Sequence, residues 1–385
     1  MSERIDVLVI GGGPVGAALA LSLQGSPVSV TVLEARSSPA PDPRMLALSY
    51  GSKLFLERIR AWQGIHDATP INTIHVSQKG GFGRTVLTAE ESGVPSLGYV
   101  VSYPDIHRAL VSGLDTETYL EGACAGEIDL SEEEGVVDFD YQGQRRRIAA
   151  KLVVMADGGK LVEHVKGISL DSREYGQWAI IGQVRTEKPH GNTAYERFTP
   201  EGPLALLPCR DGFSLVWTTS PETAREILSL EKEKFLEKLH DHFGGRLGEF
   251  VDAGAMSGFP LVLKYATPFV SKHLALIGNA SQTLHPVSGQ GLNLGLRDVA
   301  TLSRVVMGAE EIGSGAMLGN YAGMRKMDRE SGICFTDSLI RIFSNEISPL
   351  RMGRGMALAS MDCLPPFRKW FSRKMMFGIR TGSIL

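Results

Sequence analysis

The chain has 385 residues, 43% of them apolar and 22% charged, with 40 basic against 43 acidic side chains and a formal net charge of −3. That balance gives no electrostatic reason to propose nucleic acid as a partner; no apolar run reaches the roughly 20 residues needed to span a bilayer, and the length favours two packed domains over a single core. The charged start Met1-Ser2-Glu3-Arg4-Ile5-Asp6 does not resemble a signal peptide, and Cys124, Cys209, Cys334 and Cys363 lack CxxC or metal-ligand spacing, so they read as reduced thiols of a cytoplasmic protein with no metal site.

The apolar strand Ile5–Ile10 runs directly into Gly11-Gly12-Gly13-Pro14-Val15-Gly16 and a small-residue helix, Ala17–Leu23. This is GxGxxG in its strand–turn–helix context. Gly11 permits the tight turn, Gly13 lets backbone approach a pyrophosphate, and Gly16 lets helix and strand pack closely. A second strand, Val28–Leu33, ends in Glu34, whose carboxylate can accept hydrogen bonds from a ribose diol; Arg36 follows and, with Pro14, joins the cofactor-binding set. The acid does not separate FAD from NAD.

Beyond the Pro-rich loop Pro39-Ala40-Pro41-Asp42-Pro43-Arg44, a helix is expected over Ser52–Trp62, then short alternating strands and turns from Ile71 to Val101. Gly80-Gly81-Phe82-Gly83 lacks a nucleotide-binding context and reads as a hairpin or loop turn. Asp105–Leu114 is helical in pattern, and strands fill Thr118–Val154; the run Lys151–Ala156 ends in Asp157-Gly158, by itself an ordinary turn. Further strands are expected at Trp178–Val184, Thr193–Phe198, Leu204–Leu207 and Phe213–Trp217, followed by a charged amphipathic helix, Lys232–Phe243.

The apolar strand Leu274–Ile277 leads into Gly278-Asn279-Ala280-Ser281-Gln282 and on through His285-Pro286-Val287-Ser288-Gly289-Gln290-Gly291-Leu292-Asn293-Leu294-Gly295, where a helix begins. Converging amides and the positive end of a helix dipole make such a corner suited to an anion. His285 is the only ionisable group in this loop; assistance to proton movement and packing beneath the loop both remain open. After Ser331 the tail is helical in period and grows basic. Phe367, Trp370, Phe371 and Met375 share a helical face, so residues 365–380 fit a membrane-surface helix and, equally, a terminal helix packed on its own domain or a partner.

In order and context, GxGxxG, Ala156-Asp157-Gly158 and the Gly278–Gly295 loop resemble the class A flavoprotein aromatic hydroxylases, whose fold is that of p-hydroxybenzoate hydroxylase. Asn279 and Gln282 stand where most of that superfamily has Asp and His, a variant similar to the UbiH-type branch of the ubiquinone-biosynthesis hydroxylases. Ala194–Thr199, Gly202–Pro208, Ser214–Trp217 and Phe335–Arg341 are also similar to that branch. The resemblance implies an α/β protein in which a Rossmann-like FAD-binding domain (1–70, 98–174 and 262–330) is interleaved with an antiparallel β-sheet substrate domain (71–97 and 175–261), with a helical C-terminus (331–385).

It further implies that the first motif holds the ADP part of FAD and that Asp157 and Gly158 lie near the pyrophosphate and the approach of NAD(P)H. Arg44 would contact the cofactor; Gly278, Asn279, Pro286, Gly289, Gly291, Leu292 and Asn293 would hold the ribityl chain and flavin ring. O2 would add at flavin C4a as a hydroperoxide and transfer OH to an electron-rich phenol, for this branch 2-polyprenyl-6-methoxyphenol. Phe198, Leu206 and Trp217 would line the substrate side. Two departures stand out: Gly159-Lys160-Leu161-Val162-Glu163-His164 replaces the usual continuation of the Asp-Gly motif, and Ser102-Tyr103-Pro104 opens a helix where relatives often carry an amide or acid. Alternatives are a hydroxylase or reductase of another apolar phenol or isoprenoid, and a flavin-holding, non-catalytic subunit of a ubiquinone-biosynthesis assembly. The implied location is cytoplasmic, or peripheral at the inner face of the cytoplasmic membrane.

Overall fold

The structure is a computed structural model that describes residues 3–38, 42–130, 133–343 and 348–378; Met1-Ser2, the Pro39-Ala40-Pro41 part of the Pro-rich loop and tail residues 379–385 lie outside the described residues. The first sheet runs in the order Val270–Ser271, Leu274–Leu276, Gln144–Met155, Glu3–Ile10, Val30–Glu34, Tyr119–Glu121. Glu3–Ile10 pairs in parallel with both Val30–Glu34 and Gln144–Met155, and Leu274–Leu276 extends the parallel set. A parallel strand needs cover on both faces. Val7, Leu8 and Val9 are accordingly fully buried, packed with Ala17, Leu19 and Leu23 of the helix Pro14–Leu23 and with Leu296 and Val299 of the helix Gly291–Met307.

The second sheet is built from distant segments, in the order Gln282–Thr283, Ser257–Thr267, Ser169–Thr186, Gly212–Thr219, Gly202–Cys209, Thr193–Thr199, Thr73–Gln78, Arg84–Thr88. Thr73–Gln78 adds in parallel to Thr193–Thr199, so chain from before residue 100 is stitched beside chain from near 200. The glycine cluster at 80–83 is the turn of the hairpin between Thr73–Gln78 and Arg84–Thr88. A small third sheet joins Met45–Ser49, Gly98–Ser102 and Thr69–Ile71 and lies between the other two.

Several boundaries differ from the sequence reading. Two long strands, Ser169–Thr186 and Ser257–Thr267, pair across the limits expected at 175 and 262 and run continuously from one domain to the other, with a register irregularity between Glu174 and Trp178. The helix Tyr50–Arg58 stops short of Trp62, because Arg60 takes a left-handed backbone conformation (φ 61°) that ends it. The helix Pro221–Leu228 was not anticipated; Ser220 caps it by accepting a bond from the Thr223 amide, with Pro221 at its first position. The helix Gly315–Phe343 is continuous across the expected break at 331, and the tail continues as Ser348–Cys363 and Pro365–Phe377. No helix among the described residues is long and apolar enough to cross a membrane.

Candidate active site

The first turn is set by close backbone approach. Gly11 (φ 106°) has the Asp157 backbone 2.6 Å from where a Cβ would sit, and a Cβ on Gly16 would fall 1.9 Å from the Gly11 carbonyl oxygen. Gly13, by contrast, faces open space; the nearest group to its Cβ direction is the Tyr103 hydroxyl at 3.7 Å. The helix Pro14–Leu23 carries no acid in its first turn and no side-chain cap, so its N-terminal amides are available to a phosphate.

Glu34 closes the next strand. Its Oε2 accepts from the Gly12 amide at 2.8 Å, and its Oε1 accepts from the Arg36 amide at 3.0 Å and Nε at 2.8 Å. Burial alone would raise this carboxyl, but the Arg36 bonds outweigh it and hold the group below its ordinary value. Sequence reasoning missed the groups beneath this turn: the Tyr119 hydroxyl donates to the Gly12 carbonyl at 2.9 Å, and His107 Nε2 lies 2.9 Å from the same oxygen. Arg44 pairs with Asp42 at 2.6 Å and lies 5.1 Å over the Tyr103 ring. Tyr103, noted only as a departure, therefore shares the open mouth of the first motif with Arg44.

Asp157 binds its own loop, accepting from the Gly159 amide at 2.9 Å and the Leu161 amide at 2.7 Å. Gly158 and Gly159 hold positive φ (79° and 87°), and Gly159 packs toward the Asn279 carbonyl. Gly278 and Gly295 both press against Val15 of the first motif. The three motifs thus meet around the start of one helix.

The third motif is anchored from both ends. The Gly278 amide donates to Asp298 Oδ2 at 3.0 Å, and Arg325 Nε donates to Asp298 Oδ1 at 2.7 Å while its Nη1 binds Asp328 at 2.7 Å; all three charged side chains are buried. At the other end the Asn293 side chain satisfies all its capacity. Oδ1 accepts from the Ser49 amide (2.8 Å) and the Ser52 hydroxyl (2.7 Å), and Nδ2 donates to the carbonyls of Ala47 (2.9 Å) and Gly289 (2.8 Å). That side chain locks the loop to the strand Met45–Ser49. The helical ladder begins with the Leu294 amide donating to the Gln290 carbonyl, so the amides of Gly291, Leu292 and Asn293 precede it. Gly291 is open, Gly289 has positive φ (58°), Pro286 opens the short turn before it, and Asn279 is exposed.

His285 lies beneath the loop. Its Nδ1 accepts from the Val287 amide at 3.1 Å, its ring meets Tyr175 edge-on at 5.4 Å, and burial pushes it down to about 4. It is a buried imidazole that does not line the cavity described next, and no proton-transfer role is assigned to it.

Beside this loop opens an apolar cavity of about 400 Å³. Val287, Gln290 and Asn293 form its loop wall, Ser49 and Leu48 its floor, and Phe198, Phe335, Phe343, Phe371 and Met375 much of the rest. Phe198 lines it and stacks on Phe343 at 3.9 Å. Leu206 and Trp217 do not: they point to the other face of the second sheet and are fully buried against Phe235 and Leu239 of the helix Lys232–Phe243. Strand alternation also turns Arg197 away from the cavity, into a polar recess shared with His75, Arg84 and Arg246. Glu196, on the cavity side of the same strand, escaped the sequence reading; its spacing of two from Phe198 was the available signal.

The open Gly13, the exposed Asn279, the unused first-turn amides and the Glu34 carboxylate at a strand end fit a bound dinucleotide with its ring beside Gly291–Asn293. The protein-family model described as "FAD binding domain" matches residues 4–328. The chain is 34% identical to ubiquinone hydroxylase UbiL of Rhodospirillum rubrum, over 98% of this chain and 90% of that protein. It is 32% identical to 3-demethoxyubiquinol 3-hydroxylase of Escherichia coli, over 94% of this chain and 95% of that one. Among solved structures it superposes on p-nitrophenol 4-monooxygenase PnpA of Pseudomonas putida with a TM-score of 0.79, at 18% identity, over 98% of this chain and all of that one.

Proposed function

The chain belongs to the FAD-dependent hydroxylases of ubiquinone biosynthesis, class A flavoprotein monooxygenases, and on that premise we propose that it hydroxylates the ring of a polyprenylated phenol with NAD(P)H and O2 as co-substrates. The narrower reading, 2-polyprenyl-6-methoxyphenol, rests on Asn279 and Gln282 in the third motif. The single observation that carries the substrate class is the 400 Å³ cavity beside the third-motif loop, walled mostly by Leu, Ile, Val, Met and Phe. Such a space accepts a ring and the start of an isoprenoid chain and rejects charged metabolites.

When bound, FAD supplies the redox chemistry and oxygen activation. The chain's own residues do the rest. Gly11–Gly16 and the helix start at Pro14 would hold the phosphates, and Glu34 would orient the ribose. The free amides of Gly291, Leu292 and Asn293, at a helix N-terminus, would stabilise negative charge gathered on the ring on reduction. The aromatic wall Phe198, Phe343 and Phe371 excludes water from the reacting face.

The outer rim of the cavity supports delivery from a bilayer. Phe367 lines the cavity yet is 47% exposed, Trp370 beside it is 55% exposed, and the two rings stack at 5.6 Å. Leu364, Met352 and Met356 of the tail are exposed too, as are Lys369 and Arg373. We propose that the protein works at the inner surface of the cytoplasmic membrane, with the prenyl chain entering between the tail helices.

The reading is tested by quinone-lipid profiling of cells lacking this protein, with parallel oxygen-uptake assays on the FAD-loaded enzyme. Accumulation of an under-hydroxylated prenyl phenol, and NAD(P)H-coupled oxygen uptake that requires a prenyl phenol, are expected. An unchanged quinone pool would overturn it.

A further inference from the structure

The cavity that receives the ring has polar groups in its walls, and all but one are already engaged. The Ser49 hydroxyl donates to the Met376 carbonyl (2.9 Å), and the Thr85 hydroxyl to the Leu358 carbonyl (2.7 Å). The Ser372 hydroxyl pairs with Ser92 (2.9 Å), Asn293 is saturated as described above, and Gln290 also has a partner. Glu196 is the exception. Among the described residues it is the only ionisable one lining the cavity, and its Oε1 is buried with no hydrogen-bond partner there.

A buried acceptor left without a partner costs about 1–3 kcal/mol. A carboxyl kept at that cost inside an apolar pocket is a group awaiting a ligand. We propose that Glu196 receives the phenol hydroxyl of the ring substrate, fixing the ring's orientation by a hydrogen bond and accepting its proton as the ring is attacked. This assignment rests on the polyprenyl-phenol reading of the site. The O–H bond breaks with its electron pair left on the phenol oxygen, which pushes density into the ring, and the proton goes to the Glu196 carboxylate. As the ring recovers aromaticity, the proton of the hydroxylated carbon goes to the second oxygen atom of O2, which departs as water, and the same carboxyl returns its proton to the phenol oxygen. Oxygen atom and oxidising equivalents come from O2 and the flavin, as in the activity already described.

The electrostatics of the site agree. Burial pushes Glu196 up to about 7, and no charged neighbour contributes. His75 on the adjacent strand, Arg84 beyond the hairpin, Arg197 on its own strand and Asp362 on the helix Ser348–Cys363 all open onto the polar recess on the far side. On the remaining elements, Asp337 is paired with Arg173 and Arg341, Arg368 is tied to Glu91, and Arg373 is exposed. A carboxyl poised near neutral pH is matched to general-base work.

The test compares binding of a long-chain alkylphenol and its methyl ether to the FAD-loaded enzyme, read by perturbation of the flavin spectrum. It uses the wild type, Glu196→Gln and Glu196→Leu, each checked for flavin content. The wild type should favour the phenol by about tenfold. Glu196→Leu should lose that preference, and Glu196→Gln, which can still bond the hydroxyl, should keep most of it. In turnover, Glu196→Gln should lose the acidic limb near pH 7 and most of kcat with little change in KM. Equal phenol-to-ether ratios in wild type and Glu196→Leu would overturn the proposal. So would an unaltered pH profile in Glu196→Gln, which remains informative if the leucine variant does not fold. Failure of the wild type to bind either probe would instead count against the substrate reading itself.

Discussion

Single side chains in this protein carry tasks that their chemistry makes hard to share. Asn293 joins Gly289 of its own turn to three groups of a segment 241 to 246 residues away in sequence. Asn293→Ala leaves these groups unpaired inside the protein, so we expect a loss of about 2–3 kcal/mol in a urea melt. FAD binding, read by flavin fluorescence titration, should weaken about tenfold or more. Glu196 predicts a pH effect of defined sign. Its folded value lies above its ordinary 4.5, near 7. Relative to Glu196→Gln, the wild type should therefore hold its full stability below pH 4.5 and lose it progressively between pH 4.5 and 7. The drop is about 3 kcal/mol at 1.36 kcal/mol per unit. A flat difference across that window would show a carboxyl in contact with bulk water.

At the scale of elements, the flavin loop depends on a buried ionic joint between two helices. Asp298 on Gly291–Met307 bonds both the Gly278 amide and Arg325 on Gly315–Phe343, and Asp328 completes the set. Removing one partner of a buried pair strands the other. Asp298→Asn should cost about 3–5 kcal/mol, and it should lower flavin retention through Gly278, which a denaturation series with and without FAD would separate. None of this is legible in the sequence, because nothing in the spacing of Arg325 and Asp328 separates them from other charges on the same helix. What was legible had tight stereochemical causes: Gly11 and Gly16 admit no side chain, and Asp157-Gly158 followed a parallel strand. The resemblance put Leu206, Trp217 and Phe198 on the substrate side, but period-two alternation does not say which face of a sheet meets the cavity. Only packing by the helix Lys232–Phe243 decides that, and it buried the first two on the wrong side for a substrate. The tail showed the same limit: its apolar residues were read as one stripe, but Phe371 and Met375 turn into the cavity while Trp370 stays outside.

For the molecule as a whole, the cavity has no single owner. The FAD-side strand Met45–Ser49, the second sheet and the tail helices each supply a wall, and the tail is tied back to the flavin loop where Met376 and Met375 carbonyls accept bonds from Ser49 and Arg297. The tail, the cavity wall and the start of the helix Gly291–Met307 are therefore joined through one segment. Trp370→Glu should reduce sedimentation with anionic liposomes several-fold while leaving flavin content unchanged, since the ring is exposed. Wild-type protein that ignores such liposomes, or a variant that binds them equally, would remove the membrane from the account.

The strand Thr193–Thr199 is a partition between two rooms of opposite character. Glu196 and Phe198 furnish one and Arg197 the other, and the two sets are exchanged by a shift of one residue. A lengthening of the chain by one residue inside this strand would bring a guanidinium into the greasy room and expel the carboxyl. Length variation compatible with this chemistry is thus confined to the turns, at His190–Asn192 and Pro200–Glu201, while the five residues between Tyr195 and Thr199 are counted as strictly as any catalytic group.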